Sequence, residues 1–167
     1  MSTYATVREM KKVLLNMNVW LDKAIAFAGS KKFDPETMLT WRLAPDMFSF
    51  VRQVQATCDQ AKFAASRAAG KETPSHPDTE TTVAELRARI ATVVAYLDTF
   101  TAKDFDGAEE RTLSLPRWEG KHMSAADYVT EHAMPNFFFH ATATYLLLRH
   151  NGVDVGKRDF LGALSYR

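Results

Sequence analysis

One cysteine, Cys58, stands among 167 residues, which excludes an internal disulfide framework and any cysteine-rich zinc site. The seven glycines are scattered, so no glycine-rich loop is available to cradle a phosphate. There is no G-x-S-x-G nucleophile elbow and no His-Glu-x-x-His motif. Neither sign of charge dominates: 21 Lys+Arg against 20 Asp+Glu leave a net charge of +1. Such a chain has no strong field to attract nucleic acid or anionic lipid, and no basic stripe interleaved with aromatics. No apolar run reaches the ~18 residues of a membrane-spanning helix. The opening MSTYATVREMKK carries charge where a signal peptide needs an apolar stretch. Internal repeats and low-complexity tracts are also missing. These absences point to a single cytoplasmic domain over 1–167, with no nucleic-acid or membrane partner.

What remains is ordinary globular composition, 46% apolar and 25% charged, arranged with helical periodicity. Tyr4, Val7, Met10, Leu14, Met17, Leu21, Ala24 and Ala28 recur at spacings of three and four, an amphipathic stripe that stops near Gly29. Asp34-Pro35-Glu36 reads as a cap followed by a first-turn proline, and Ala44-Pro45 as a break. A second helix is expected from Asp46 to Ala69, with Met47, Val51, Val54, Cys58, Ala61, Ala65 and Ala68 inward and Gly70 ending it. Residues 70–81 form a polar linker. Thr82 and Glu85 then make a capping box for a third helix that turns Val83, Leu86, Ile90, Val93, Leu97 and Phe100 inward.

Residues 101–123 lack a helical period, although 112–115 alternate like a brief extended piece. Ser124 with Asp127 caps a short helix to about Ala133. Pro135 starts or kinks a last long helix, which Asn151-Gly152 ends. Four long helices predict an all-α four-helix bundle. A 12-residue linker can span ~40 Å, and a 24-residue helix is ~36 Å long. The 70–81 segment is therefore long enough to cross the bundle and make the second and third helices parallel.

Polar residues on inward stripes are the candidates for function. Asn136 and His140 project from one face of the last helix, one turn apart, a spacing that lets two side chains converge on one metal. Asp46 falls at the expected first turn of the second helix, with Ser49, Gln53 and Gln60 on a flanking stripe. Each has a purely structural alternative. His140 can be a hydrogen-bonded core residue, Asn136 a cap after Pro135, and Asp46 a cap or a salt-bridge partner. His132 lies eight residues before His140, with Pro135 disturbing the register. Cys58 on a core stripe reads as inert. Arg42, Arg52 and Lys62 read as solvated, and His76 and His122 as exposed.

Several segments together resemble a family of bacterial proteins known only as a domain of unknown function. They are Arg42-Leu43-Ala44-Pro45-Asp46-Met47-Phe48, Gln53-Val54-Gln55, Cys58 to Lys62, Glu85 to Ile90, Pro135 to His140, Leu148 to Val153 and Gly156 to Gly162. That family is similar to the DinB/YfiT-like superfamily. The resemblance implies an up-down-down-up bundle with long crossover linkers, and frequent homodimers. It also implies a divalent metal, commonly zinc or nickel, held by three histidines, one from the second helix and two from the last. Those positions fall on Asp46, Asn136 and His140, with His132 as a possible addition. Only one of the three is histidine, and carboxylate plus amide favours harder ions such as manganese.

Three functions follow as expectations. The first is a divalent-metal-dependent enzyme, a thiol transferase or hydrolase, with a degenerate site. The second is a metal-free small-molecule-binding module whose pocket is lined by Phe48, Phe137 and Phe138, with Asp46, Gln53, Asn136 and His140 as a polar network. The third is a structural homodimer formed through the small-residue face Ala61, Ala64, Ala65 and Ala68.

Overall fold

A computed structural model describes residues 2–166. Helix α1 spans Thr3–Lys31, α2 Phe50–Ala69 and α3 Val83–Leu97. Strands β1 (Thr112–Leu113) and β2 (Met123–Ser124) pair antiparallel, with Thr112 opposite Ser124. Helix α4 (Ala125–Asp127) runs through a π-turn, Tyr128–Ala133, into α5 (Met134–His150), and α6 spans Lys157–Leu161.

Side-chain pairings between helices set their directions. Lys11 meets Asp98 and Asp22 meets Arg87, so α1 and α3 are antiparallel. Gln53 meets His140 and Arg67 meets Tyr128, so α2 opposes the chain running into α5. Asp59 meets Arg89, and further along α3 the Tyr96 hydroxyl donates to the carbonyl of Glu72, just past the C-terminal end of α2, 3.1 Å away; α2 and α3 are therefore parallel. The result is the expected up-down-down-up bundle, with α2 packed against each of the other three long helices.

The parallel pair requires the crossover, and buried charge holds that crossover down. From Gly70 the chain runs back along α2: Ser66 meets Thr73, Lys62 meets His76, Arg52 meets Asp78, and Gln55 donates to Glu80. Arg89, with a side chain only 2% exposed, reaches up from α3 beneath this segment. Its guanidinium binds Asp59 at 2.9 Å, Asp78 at 3.0 Å, Glu80 at 3.0 Å and the Pro77 carbonyl at 3.1 Å. Lys62 is equally buried and binds Asp59 at 2.9 Å. Lys62 and Arg52 are thus part of this ion network rather than solvated, and His76 is half-buried beneath it.

Three local expectations change, and the one at Pro135 holds. Gly29 stays helical, because α1 ends on Lys32 in the left-handed conformation, where its amide bonds the Ala28 and Gly29 carbonyls. The second helix begins at Phe50 instead of Asp46. Residues 42–48 fold into a turn in which the Phe50 amide donates to the Trp41 carbonyl at 2.8 Å and the Met47 amide to the Ala44 carbonyl at 3.0 Å. Pro135 stands in the first turn of α5, directly after the π-turn, as expected of a residue that starts this helix. It lacks an N–H and would crowd the carbonyl four residues back, and the wide π-turn just upstream absorbs that conflict. Ala61, Ala64, Ala65 and Ala68 are fully buried inside the bundle, so they are not a face offered to a second copy.

The C-terminal segment docks on α1. The Trp20 indole donates to the Asp159 carbonyl at 2.9 Å and stacks on Phe160 with centroids 5.3 Å apart, while Asn16 donates to the Phe160 carbonyl at 3.0 Å. Gly162, at φ 63°, must be glycine: a Cβ there would lie 2.4 Å from the Asn16 Oδ1.

Removing one member of a buried ion network leaves its partners uncompensated, at a cost of about 3–5 kcal/mol. Arg89→Ala is expected to lose stability on that scale in urea denaturation. Arg87→Ala, which breaks a pair with side chains 30% and 69% exposed, is expected to lose less than about 1 kcal/mol. Equal losses would show that the crossover is not held by Arg89.

Candidate functional site

Three pieces of chain converge where the 42–48 turn meets the first turn of α2 and the first half of α5. They enclose a cavity of about 420 Å³ lined by Asp46, Met47, Phe48, Gln53, Asn136, Phe139 and His140. On α5 the contributors are Asn136, Phe139 and His140, which is the i, i+3, i+4 pattern of one helix face.

Gln53 and His140 form the polar centre. The Gln53 amide nitrogen donates to the Phe48 carbonyl at 3.3 Å, which turns its Oε1 toward the His140 Nδ1, 2.7 Å away. An oxygen facing Nδ1 requires Nδ1 to carry the proton. Nε2 therefore keeps its lone pair, and it has no partner among the described residues. Both residues are held from behind: Thr57 donates to the Gln53 carbonyl at 2.7 Å and Thr144 to the His140 carbonyl at 2.9 Å. Burial pushes the imidazole pKa below its usual value, and the nearby Arg52 charge pushes it the same way. Phe48 stacks on the ring with centroids 6.0 Å apart, and Phe139 meets it edge-on at 5.2 Å.

Five of the residues singled out in the sequence meet here: Asp46, Phe48, Gln53, Asn136 and His140. Asp46 sits in the turn before α2 and is exposed, and Ser49 holds the N-cap position, so Asp46 is not a helix cap. Asn136 lies inside α5 and makes no capping bond. Three of the singled-out residues fall elsewhere, Phe138 among them, which packs partly buried against the core and edge-on to Phe137. Phe137 is fully buried in the core with Ala141, Thr144 and Leu148, and Phe139 takes the wall expected of it. His132 stacks on Tyr128 in the π-turn, where its Nε2 accepts from Arg117 at 2.8 Å; it does not line the cavity. Met47 and Phe139 were missed. The i+3 rule applied to Asn136 would have found Phe139.

The donor set does not match a three-histidine centre. The cavity offers one imidazole nitrogen, one carboxylate and one amide, a poor set for zinc or nickel. Among the described residues no group of three or more His, Cys, Asp or Glu is placed to hold a metal ion. Cys58 offers no nucleophile: it is fully buried, and burial pushes its thiol up to about 12. Among the described residues no helix is long and apolar enough to cross a membrane.

A family model described as a domain of unknown function, DUF1993, matches residues 3–161. The chain belongs to the DUF1993 family. A crystal structure of a DinB family member protein from Shewanella denitrificans is similar to this DUF1993 chain at 48% identity. The similarity covers 98% of this chain and 94% of that one, with a TM-score of 0.95. The DUF1993 fold is thus a DinB-like all-α bundle. No curated protein matches the chain.

The assigned tautomer is open to direct measurement. In long-range ¹⁵N–¹H spectra, His140 is expected to show a protonated Nδ1 and a lone-pair Nε2, titrating below about 6.5. A lowered folded-state pKa favours the neutral ring. The stability this contributes is full above the unfolded pKa and is lost as pH falls through the folded one. Urea midpoints of wild type should therefore drop more steeply below about pH 6.5 than those of His140→Gln. Parallel pH profiles would refute the assignment.

Proposed function

We propose that this protein is a small-molecule-binding bundle whose cavity takes an organic ligand that donates a hydrogen bond to His140 Nε2. The observation that carries the reading is the 2.7 Å Gln53–His140 bond, which holds the imidazole in one tautomer with its acceptor nitrogen free. A ring oriented so deliberately by a buried amide is preorganised for a partner. The walls agree in kind: mostly aromatic and aliphatic surface with a few convergent polar groups is how small-molecule sites are built. No serine, threonine, cysteine, tyrosine or lysine lines the cavity, and the two lining side chains able to act as nucleophiles, Asp46 and His140, share no hydrogen bond that would make them an acid–base pair. This favours binding over the thiol-transferase or hydrolase reading, and the donor set argues against a resident zinc or nickel.

Phenol and anisole test the reading, because they share a ring and differ in one donor. A neutral hydrogen bond is worth about 0.5–1.5 kcal/mol, so phenol is expected to bind roughly two- to tenfold more tightly than anisole, a preference absent in His140→Phe. Elemental analysis after incubation with zinc, nickel and manganese completes the test. Stoichiometric metal that is lost in His140→Ala would overturn the proposal in favour of a metal-dependent site, and failure of both probes to bind would also overturn it.

A further inference from the structure

Resting on that pocket reading, we infer that the ligand is an organic ammonium ion, a protonated amine on a small apolar body. The reason is the sign of every group the cavity presents. Asp46 brings a carboxylate that makes no ion pair and no hydrogen bond among the described residues. His140 brings a lone pair at Nε2. Asn136 brings an amide that bonds nothing else among the described residues. The rings of Phe48 and Phe139 stand 48% and 57% exposed at the same place, unusually open for phenylalanine, and Met47 adds a polarisable thioether.

Donors are scarce by comparison. Gln53 spends one of its two amide N–H groups on the Phe48 carbonyl, which leaves the other and the Asn136 amide as the remaining neutral side-chain donors in the wall. No lysine or arginine lines the cavity. Two arginines stand beside the cavity without lining it: Arg42 donates to the Met47 carbonyl, and Arg52 is bound to Asp78 and to Gln55 and lies over the Phe48 ring, 5.5 Å from its centroid. An anion entering here would give up its water for almost nothing. An ammonium ion would exchange its water for a carboxylate, a nitrogen lone pair, an amide oxygen and an aromatic face, the set that recognises such cations. Arg52 lies over Phe48 and His140 stacks on it, so Phe139 is the more open aromatic surface for the ammonium ion. The cavity volume of about 420 Å³ suits a ligand of single-ring size.

Calorimetric titration of the full chain near neutral pH with benzylamine, benzyl alcohol and benzoate separates the possibilities. These probes share a body and differ in charge. Benzylamine is expected to bind about tenfold more tightly than benzyl alcohol, with benzoate weakest. Asp46→Asn should erase that preference, bringing the affinity ratio of benzylamine to benzyl alcohol down to about one. If benzyl alcohol or benzoate binds as well as benzylamine, or if the preference survives in Asp46→Asn, the ammonium inference is overturned while the pocket reading stands. If none of the three binds, both are overturned.

Discussion

A buried guanidinium organises this fold. Parallel packing of α2 and α3 demands that the chain travel the length of the bundle between them, and a polar segment of that length has little hydrophobic reason to lie down. Arg89 supplies the reason. It sits under the crossover with Asp59 on α2 and with Asp78 and Glu80 on the crossover itself, so one side chain joins all three pieces of chain. Charges so deeply placed are tolerable only when each is answered, which makes the arrangement demanding of geometry as much as stabilising. A crossover displaced by one residue would leave carboxylates facing nothing.

The pocket depends on that scaffold at one remove. Arg52 is held by Asp78 of the crossover and by Gln55, and from there it covers the Phe48 ring that stacks on His140. The same clamp that fixes topology thus places a positive charge behind the aromatic wall, where it helps keep the imidazole neutral. The scaffold and the site are electrostatically one system, although no residue of the crossover lines the cavity.

Much of the fold was legible because its signals are local. The Thr82–Glu85 capping box, the stop at Gly70 and the three-and-four spacing of α3 each act within a few residues, and each was found where it was read. Linker length carried the topology because polymer reach is a property of residue number alone. The failures turn on tertiary contacts that no helical pattern contains. Lys62 reads as solvated until the crossover folds over it and brings His76 beside it. The start of α2 moved because Trp41 offers its carbonyl to Phe50, and no capping rule contains that information. In the site, Asn136 and His140 were read from helical geometry and do share a wall, whereas Phe137 was chosen for its chemistry without regard to its angle around the helix.

Trp20 adds a constraint on the order of events. Its ring is fully buried, and its indole N–H is answered by the carbonyl of Asp159, 139 residues further along. On a ribosome, the first helix would wait for a partner made 139 residues later before that bond could form. Until then, the largest side chain on its inner face would be left without the stacking of Phe160 and with an unmatched polar atom. Docking of α6 on α1 is therefore a contact of long sequence separation, the kind that forms slowly.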